Sequence, residues 1–296
     1  ILAEGEVGGQ IKLTATEINQ AVNSTISARS VAMADENADY LQNDPALEQS
    51  LQQELQQAKI TIDATHAVSL QGKLDVSSID HDGGTLTIKA DVAQFIDIEL
   101  NAASSLASGG AVDIESSVTY LDNALIDVSG TIKAGQVFMR APEPEVPSMP
   151  TAPPEPVPVN PSSLIIQNTS ITASSRKGQG GKVYLTADTI DLAHTLVLAT
   201  GNNKNGTAGG QIKVGGDWQG GPYLPQAQSV TLDKNTTLNT SAITQGDGGM
   251  IVVWSDITNP QGRTVALGTL ISEGGKEGGD GGQIETSGYD LKVDGI

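Results

Sequence analysis

The chain has 296 residues, 38% of them hydrophobic and only 3% aromatic, with no cysteine and a formal charge of −19. That charge argues against nucleic acid and against anionic membrane surfaces as partners, since both need clustered Lys and Arg. The missing cysteines exclude a disulfide framework and any Cys-ligated metal, and no run of about 18 apolar residues occurs that would insert in a membrane.

The sequence opens on Ile1 with no signal peptide, so it reads as a processed product or a segment of something larger. At Gly8 begins the pattern that organises the rest of the chain, a Gly-Gly pair and then an alternating strand, GGQIKL. It recurs at Gly83 (GGTLTI), Gly109 (GGAVDI), Gly180 (GGKVYL), Gly209 (GGQIKV), Gly248 (GGMIVV) and Gly281 (GGQIET), with a degraded copy at Ala134-Gly135. Two residues after the second glycine stand Ile11, Leu86, Val112, Val183, Ile212, Ile251 and Ile284. Four residues after it stand Leu13, Ile88, Ile114, Leu185, Val214, Val253 and, in the last copy, Thr286. A strict period of two with one apolar face predicts a half-buried strand in each copy. The second glycines, Gly9, Gly84, Gly110, Gly181, Gly210, Gly249 and Gly282, are assigned to corners, where glycine supplies positive φ without steric cost.

Two segments break the pattern. Residues 31–59 carry Asp44-Pro45, a cap followed by proline at the first helical position, and then Leu47, Leu51 and Leu55 at helical spacing. They predict a helical insertion, read either as a lid on the strand stack or as a partner-binding helix. Residues 142–161 hold nine of the thirteen prolines, a density that forbids ladder hydrogen bonds and predicts a protruding loop rather than a domain linker. Between the glycine pairs lie further short strands at 189–192, 195–199, 229–232 and 264–267, about three to an interval. With only one helical pattern in the chain, βαβ crossovers are ruled against. The expectation is an all-β fold, one continuous parallel β-helix (β-solenoid) over residues 1–296 with about ten coils and these two decorations.

From residue 209 the copies carry longer elements. Residues 215–220 with Leu224-Pro225, then 246–256, then 274–288 read GGDWQG…LP, GDGGMIVVWSD and GGKEGGDGGQIETSG. This succession resembles the two-partner-secreted exoproteins of the filamentous-haemagglutinin type, and 8–28 and 180–187 are similar to that family's coil units more loosely. The resemblance implies a right-handed parallel β-helix, export across the outer membrane through a partner transporter, and an extracellular or bacterial cell-surface adhesin or matrix component. The NPNG-type signature of the family's secretion domain does not occur in these residues, so the export route rests on the resemblance alone.

Candidate chemistry is sparse. Asp217, Asp247, Asp256, Glu277, Asp280 and Glu285 sit mostly beside glycine, where acidic residues serve turns. Asp247, Asp256 and Asp280 are the candidates for calcium through oxygen ligands. A polysaccharide-degrading β-helix enzyme is the alternative function, and it needs two carboxylates about 5–10 Å apart across a groove. His66, His81 and His194 show no ligand spacing. Trp218, Tyr223 and Trp254 are the candidates for stacking on a host or matrix glycan, and Asn23, Asn168, Asn205, Asn235 and Asn239 form Asn-x-Ser/Thr sequons. No catalytic or cofactor-binding constellation is legible. The leading expectation is a non-enzymatic, secreted structural or adhesive rod. Repeat strands at both ends without polar caps predict end-to-end self-association into a fibre.

Overall fold

The structure, a computed structural model, describes residues 1–5, 8–31, 57–142 and 161–294. Nineteen strands, β1 to β19 in chain order, join in one hydrogen-bonded parallel ladder that winds around three faces. The first face is built from the N-terminal parts of β1 (Gln10–Gln20), β3 (Lys59–Asp75), β4 (Thr85–Asn101) and β5 (Ala111–Asp127), then β6 (Gln136–Arg140), β9 (Lys182–Thr186), β12 (Gln211–Val214), β15 (Met250–Trp254) and β18 (Gln283–Ser287). Each of the long strands β3, β4 and β5 bends through all three faces. Lower in the rod separate strands take over, β7 (Ser163–Gln167) and β10 (Thr189–Ala193) on the second face, β8 (Ser170–Thr172) and β11 (Leu196–Leu198) on the third.

Among the described residues the first face therefore has nine rungs, eight that follow a Gly-Gly or Ala-Gly pair and β3, which follows Ala58. Eight steps of about 4.8 Å give a rod of roughly 38 Å. Its interior is stacked like on like. Ile60, Leu86, Val112, Val137, Val183, Ile212 and Ile251 follow one another down the first face, all fully buried, and Ile62, Ile88, Ile114, Met139, Leu185, Val214 and Val253 form the next column. The alternation expected from the sequence is what fills these columns. Phe95 is the one phenylalanine inside, stacked between Leu70 and Leu121. Burying each such side chain contributes on the order of 1.5–3 kcal/mol.

The corner glycines are needed for a different reason from the one the sequence predicts. None of Gly9, Gly84, Gly110, Gly181, Gly210, Gly249 and Gly282 adopts a left-handed φ. They lie where stacked backbones meet: a Cβ on Gly84 would stand 2.1 Å from the Ala58 carbonyl oxygen, on Gly110 2.0 Å from that of Gly84, and on Gly282 2.0 Å from that of Gly249. Left-handed backbone occurs instead at the corner before the third face, at Asn23, Asp97, Asn123, Asn168 and His194, with φ of 50–61°. Asn and Asp tolerate that region better than other side-chain-bearing residues, so they stack there as a ladder. Asn123 Nδ2 donates to Asp97 Oδ1 at 2.6 Å and Asn168 Nδ2 to Asp122 Oδ1 at 2.9 Å.

One step further down this corner, Asp233 gathers several donors. Its Oδ1 accepts from the Thr236 hydroxyl at 2.7 Å and from the His194 and Asn235 amides at 3.1 Å, and its Oδ2 lies 3.2 Å from His194 Nδ1. Burial works against ionisation of this carboxyl, but the hydroxyl, the two amides and His194 outweigh it and hold its pKa below the usual Asp range. A depressed folded pKa means that the stabilisation is complete above the unfolded value of about 3.9 and is lost as pH falls through the lower folded value. Melting temperatures of the wild type and of Asp233→Asn are expected to differ at neutral pH and to converge in acid; a constant gap down to acid pH would refute the assignment.

Both irregular segments lie largely outside the described residues, the predicted helix with its leucines among them. Their edges refine the boundaries. Ala58 is buried and Lys59 already opens β3, its amide donating to the Gly9 carbonyl at 2.9 Å, so the last two residues of 31–59 belong to a coil and not to an insertion. Ser162 is buried, with its amide 2.7 Å and its hydroxyl 2.8 Å from Asp188 Oδ2. β6 and β7, on either side of 143–160, stack on the same preceding strand β5, at Ala111–Glu115 and Val118–Asp122. The described residues on both sides of it thus belong to a single coil.

Candidate functional site

Each coil closes by an arm that returns to its own start. The amide of the second glycine donates to a carbonyl eight or more residues earlier: Gly84 to Val76, Gly110 to Ala102, Gly181 to Ala173, Gly210 to Ala199 and Gly249 to Thr240, all at 2.7–2.8 Å. The pinch leaves a channel along the rod between the closing arms and the first face. It consists of two adjoining cavities of about 420 and 380 Å³ that share Gln179, Gly210 and Gln211. The wall on the first face presents Gln136, Lys182, Gln211 and Gln283; the wall on the arms presents Ser108, Lys133, Gln179 and Asp247.

Beside the channel, two residues further along β6 and β9, stand Phe138 and Tyr184 in register on adjacent rungs, ring centroids 5.2 Å apart and planes at 59°. This tilted pairing suits the ring quadrupoles. The Tyr184 hydroxyl donates to Gln211 Oε1, which ties the ring to the residue common to both cavities. Burial, and after it the Asp217 carboxylate, push the Tyr184 hydroxyl above its usual pKa, so it remains a donor at neutral pH. Lys213 Nζ lies 5.2 Å over the Tyr184 ring and 2.5 Å from Asp217 Oδ1. On the other flank Arg140 grips Asp113 with both nitrogens, at 2.6 and 3.0 Å, and reaches Glu115 at 3.2 Å.

Residues 215–228 fold back from β12 over the first face as a strap. Asp217 begins its short 3-10 turn at Trp218–Gly220, accepting the Trp218 amide at 2.8 Å, and the Gln219 amide donates to Glu285 Oε2 at 2.8 Å, far along the chain. Beneath lie Val252 and Trp254, both outward-facing by strand phase and both buried. Trp254 Nε1 donates to Gln226 Oε1 at 3.0 Å, and Gly216 and Gly220 lie so close to its indole that a Cβ on either would come within 2.5 and 2.8 Å of it.

The three predicted stacking aromatics are thus separated in role. Trp254, 3% exposed, is closed off from any sugar by the strap, Trp218 is half-buried in the strap itself, and Tyr223 is 85% exposed at its tip. The aromatic pair beside the channel, Phe138 and Tyr184, was not singled out in the sequence. The predicted calcium ligands are not brought together as a cluster either: among the described residues no three Asp, Glu or His side chains are arranged to hold a metal ion. Asp256 is engaged by the Thr258 hydroxyl and amide of its own turn, which lower its pKa, and Asp247 Oδ1 accepts the Asp280 amide at 2.8 Å. No helix among the described residues is long and apolar enough to cross a membrane.

No family model matches the chain, and no curated protein does. Among solved structures it is similar to the HMW1 secretion domain from Haemophilus influenzae, at 16% identity and a TM-score of 0.46, over 97% of this chain and 78% of that one.

Proposed function

We propose that this chain is a stretch of a secreted β-helix that serves as a structural or adhesive rod at a bacterial surface or in a biofilm matrix, exported through an outer-membrane partner transporter. The observation that supports the reading best is the place of residues 209–288. This part, which resembles the filamentous-haemagglutinin-type exoproteins, forms the rungs β12, β15 and β18 of the same ladder as the rest. A cysteine-free rod of stacked coils reaches rigidity without disulfides, which suits a chain that crosses membranes unfolded and folds coil by coil afterwards. The acidic side chains favour the non-enzymatic role over polysaccharide cleavage, because Asp113, Glu115 and Asp217 are held by cations and Asp256 by its turn.

We also propose that rods associate end to end through β18 and β19 (Asp290–Val293), where, among the described residues, Ile284, Leu291 and Val293 are exposed apolar side chains. Immunogold imaging with an antibody raised against the purified chain tests export and assembly together. Labelled filaments are expected outside intact cells. Label that appears only after lysis overturns export, and single short rods overturn end-to-end assembly.

A further inference from the structure

We infer that the axial channel binds an unbranched, uncharged polysaccharide laid along the rod, with one sugar ring seated against Phe138 and Tyr184. The inference rests on the extracellular reading above and gives that rod a ligand class. The shape of the channel argues for a polymer: its two cavities of about 420 and 380 Å³ adjoin along the rod, and its walls offer side chains rung after rung, at about 4.8 Å per step. An occupant that meets every rung carries polar groups at a regular spacing along a straight chain.

The wall chemistry selects hydroxyls. Gln136, Gln179, Lys182 and Gln283 are exposed amides and an ammonium, donors and acceptors mixed, with Thr85 and Ser108 adding hydroxyls. An extended peptide is a poorer fit, because strand addition needs free backbone groups and the channel floor has spent its own. The Gly110 amide donates to Ala102 and its carbonyl accepts from Gln136, and the Gly84 carbonyl accepts from Ala111. The charge pattern selects against a polyion. Lys133 and Lys182 line the middle, Asp82 lies toward one end, and Asp247 and Asp280 toward the other, so a uniformly charged chain meets its own sign somewhere along the channel. The overall charge of −19 opposes a polyanion further. Beside these donors the half-buried rings of Phe138 and Tyr184 leave an apolar edge for a sugar ring, Tyr184 being packed between Phe138 and Lys213 and held in place through Gln211.

Calorimetric titration of the 1–296 chain with neutral β-linked gluco-oligosaccharides of increasing length tests this, with polygalacturonate as the charged comparison. Affinity is expected to rise with oligosaccharide length and to be unchanged by a tenfold rise in salt. Tyr184→Ala is expected to weaken binding about tenfold, Gln179→Ala, on an exposed arm, to weaken it less, and Tyr184→Phe, which keeps the ring, to retain most of it. Trp218→Ala is expected to leave it unchanged. Absence of binding by any neutral oligosaccharide, tighter and salt-sensitive binding of polygalacturonate, or full affinity in both Tyr184→Ala and Gln179→Ala would overturn the site while leaving the exported rod untouched. Release of new reducing ends during the titration overturns instead the non-enzymatic reading of the rod.

Discussion

Alanine at Gly110 is expected to disrupt the centre of the rod, with a loss above about 4 kcal/mol, whereas alanine at Gly281 changes stability by no more than about 0.5 kcal/mol. Both residues belong to Gly-Gly pairs of the repeat, Gly110 as the second glycine, which the sequence assigns to a corner, and Gly281 as the first. Their surroundings differ. A Cβ on Gly110 would stand 2.0 Å from the Gly84 carbonyl oxygen and 2.5 Å from the Gly83 carbonyl carbon, both of them backbone of the stacked coil. No rotamer relieves a clash with backbone. Relief requires the two rungs to separate, which breaks the bond from the Ala111 amide to the Gly84 carbonyl, at 2.9 Å. It also strips contacts from the buried column of Leu86, Val112 and Val137. At Gly281 the nearest atom to an added Cβ is the Ser272 oxygen, 3.6 Å away, an ordinary contact. Chemical denaturation followed by far-ultraviolet circular dichroism of the two variants checks the contrast, and equal losses would show that close approach is not why these glycines are required.

The same pair shows what a sequence of this kind reveals and what it hides. Strand phase is legible because a period of two is local: Leu86 and Ile88, or Ile212 and Val214, announce the buried face from five consecutive residues. The reason for the glycines is not legible, because it depends on the distance between coils that lie 26 or more residues apart, as Gly83 and Gly109 do. The corner that does need left-handed backbone was marked by Asn123, Asn168 and His194, whose spacing is irregular because the coils differ in length. Phe138 and Tyr184 were readable in principle. Each stands three residues after the second residue of its Gly-Gly or Ala-Gly pair, the same outward position in successive copies, so aligning the copies places one ring over the other. Trp254 misled for the opposite reason. Its strand phase points outward, and only a segment from an earlier coil, the strap at 215–228, makes that outward position a buried one.

Truncation of Trp254 to alanine is therefore expected to cost about 3–5 kcal/mol, the range for removing a buried aromatic side chain, and to release the strap. The indole is 3% exposed, with Gly216 and Gly220 close against it and Gln226 accepting its N–H, so the strap has little else to rest on at that point. Lys213 and Asp217 depend on the same cover, since their side chains are 12% and 7% exposed only while the strap lies over the first face. Lifting it returns both charges to water and loosens the Tyr184 ring beneath Lys213. Limited proteolysis in the native state reads this directly: cleavage within 215–228 is expected to be rapid in Trp254→Ala and slow in the wild type. Tyr223→Ala, at a position 85% exposed, is expected to match the wild type in both stability and cleavage. If Trp254→Ala keeps wild-type stability and resists cleavage there, the strap is held by its polar contacts alone, from Gln219 to Glu285 and from Lys213 to Asp217, and the indole is packing without consequence.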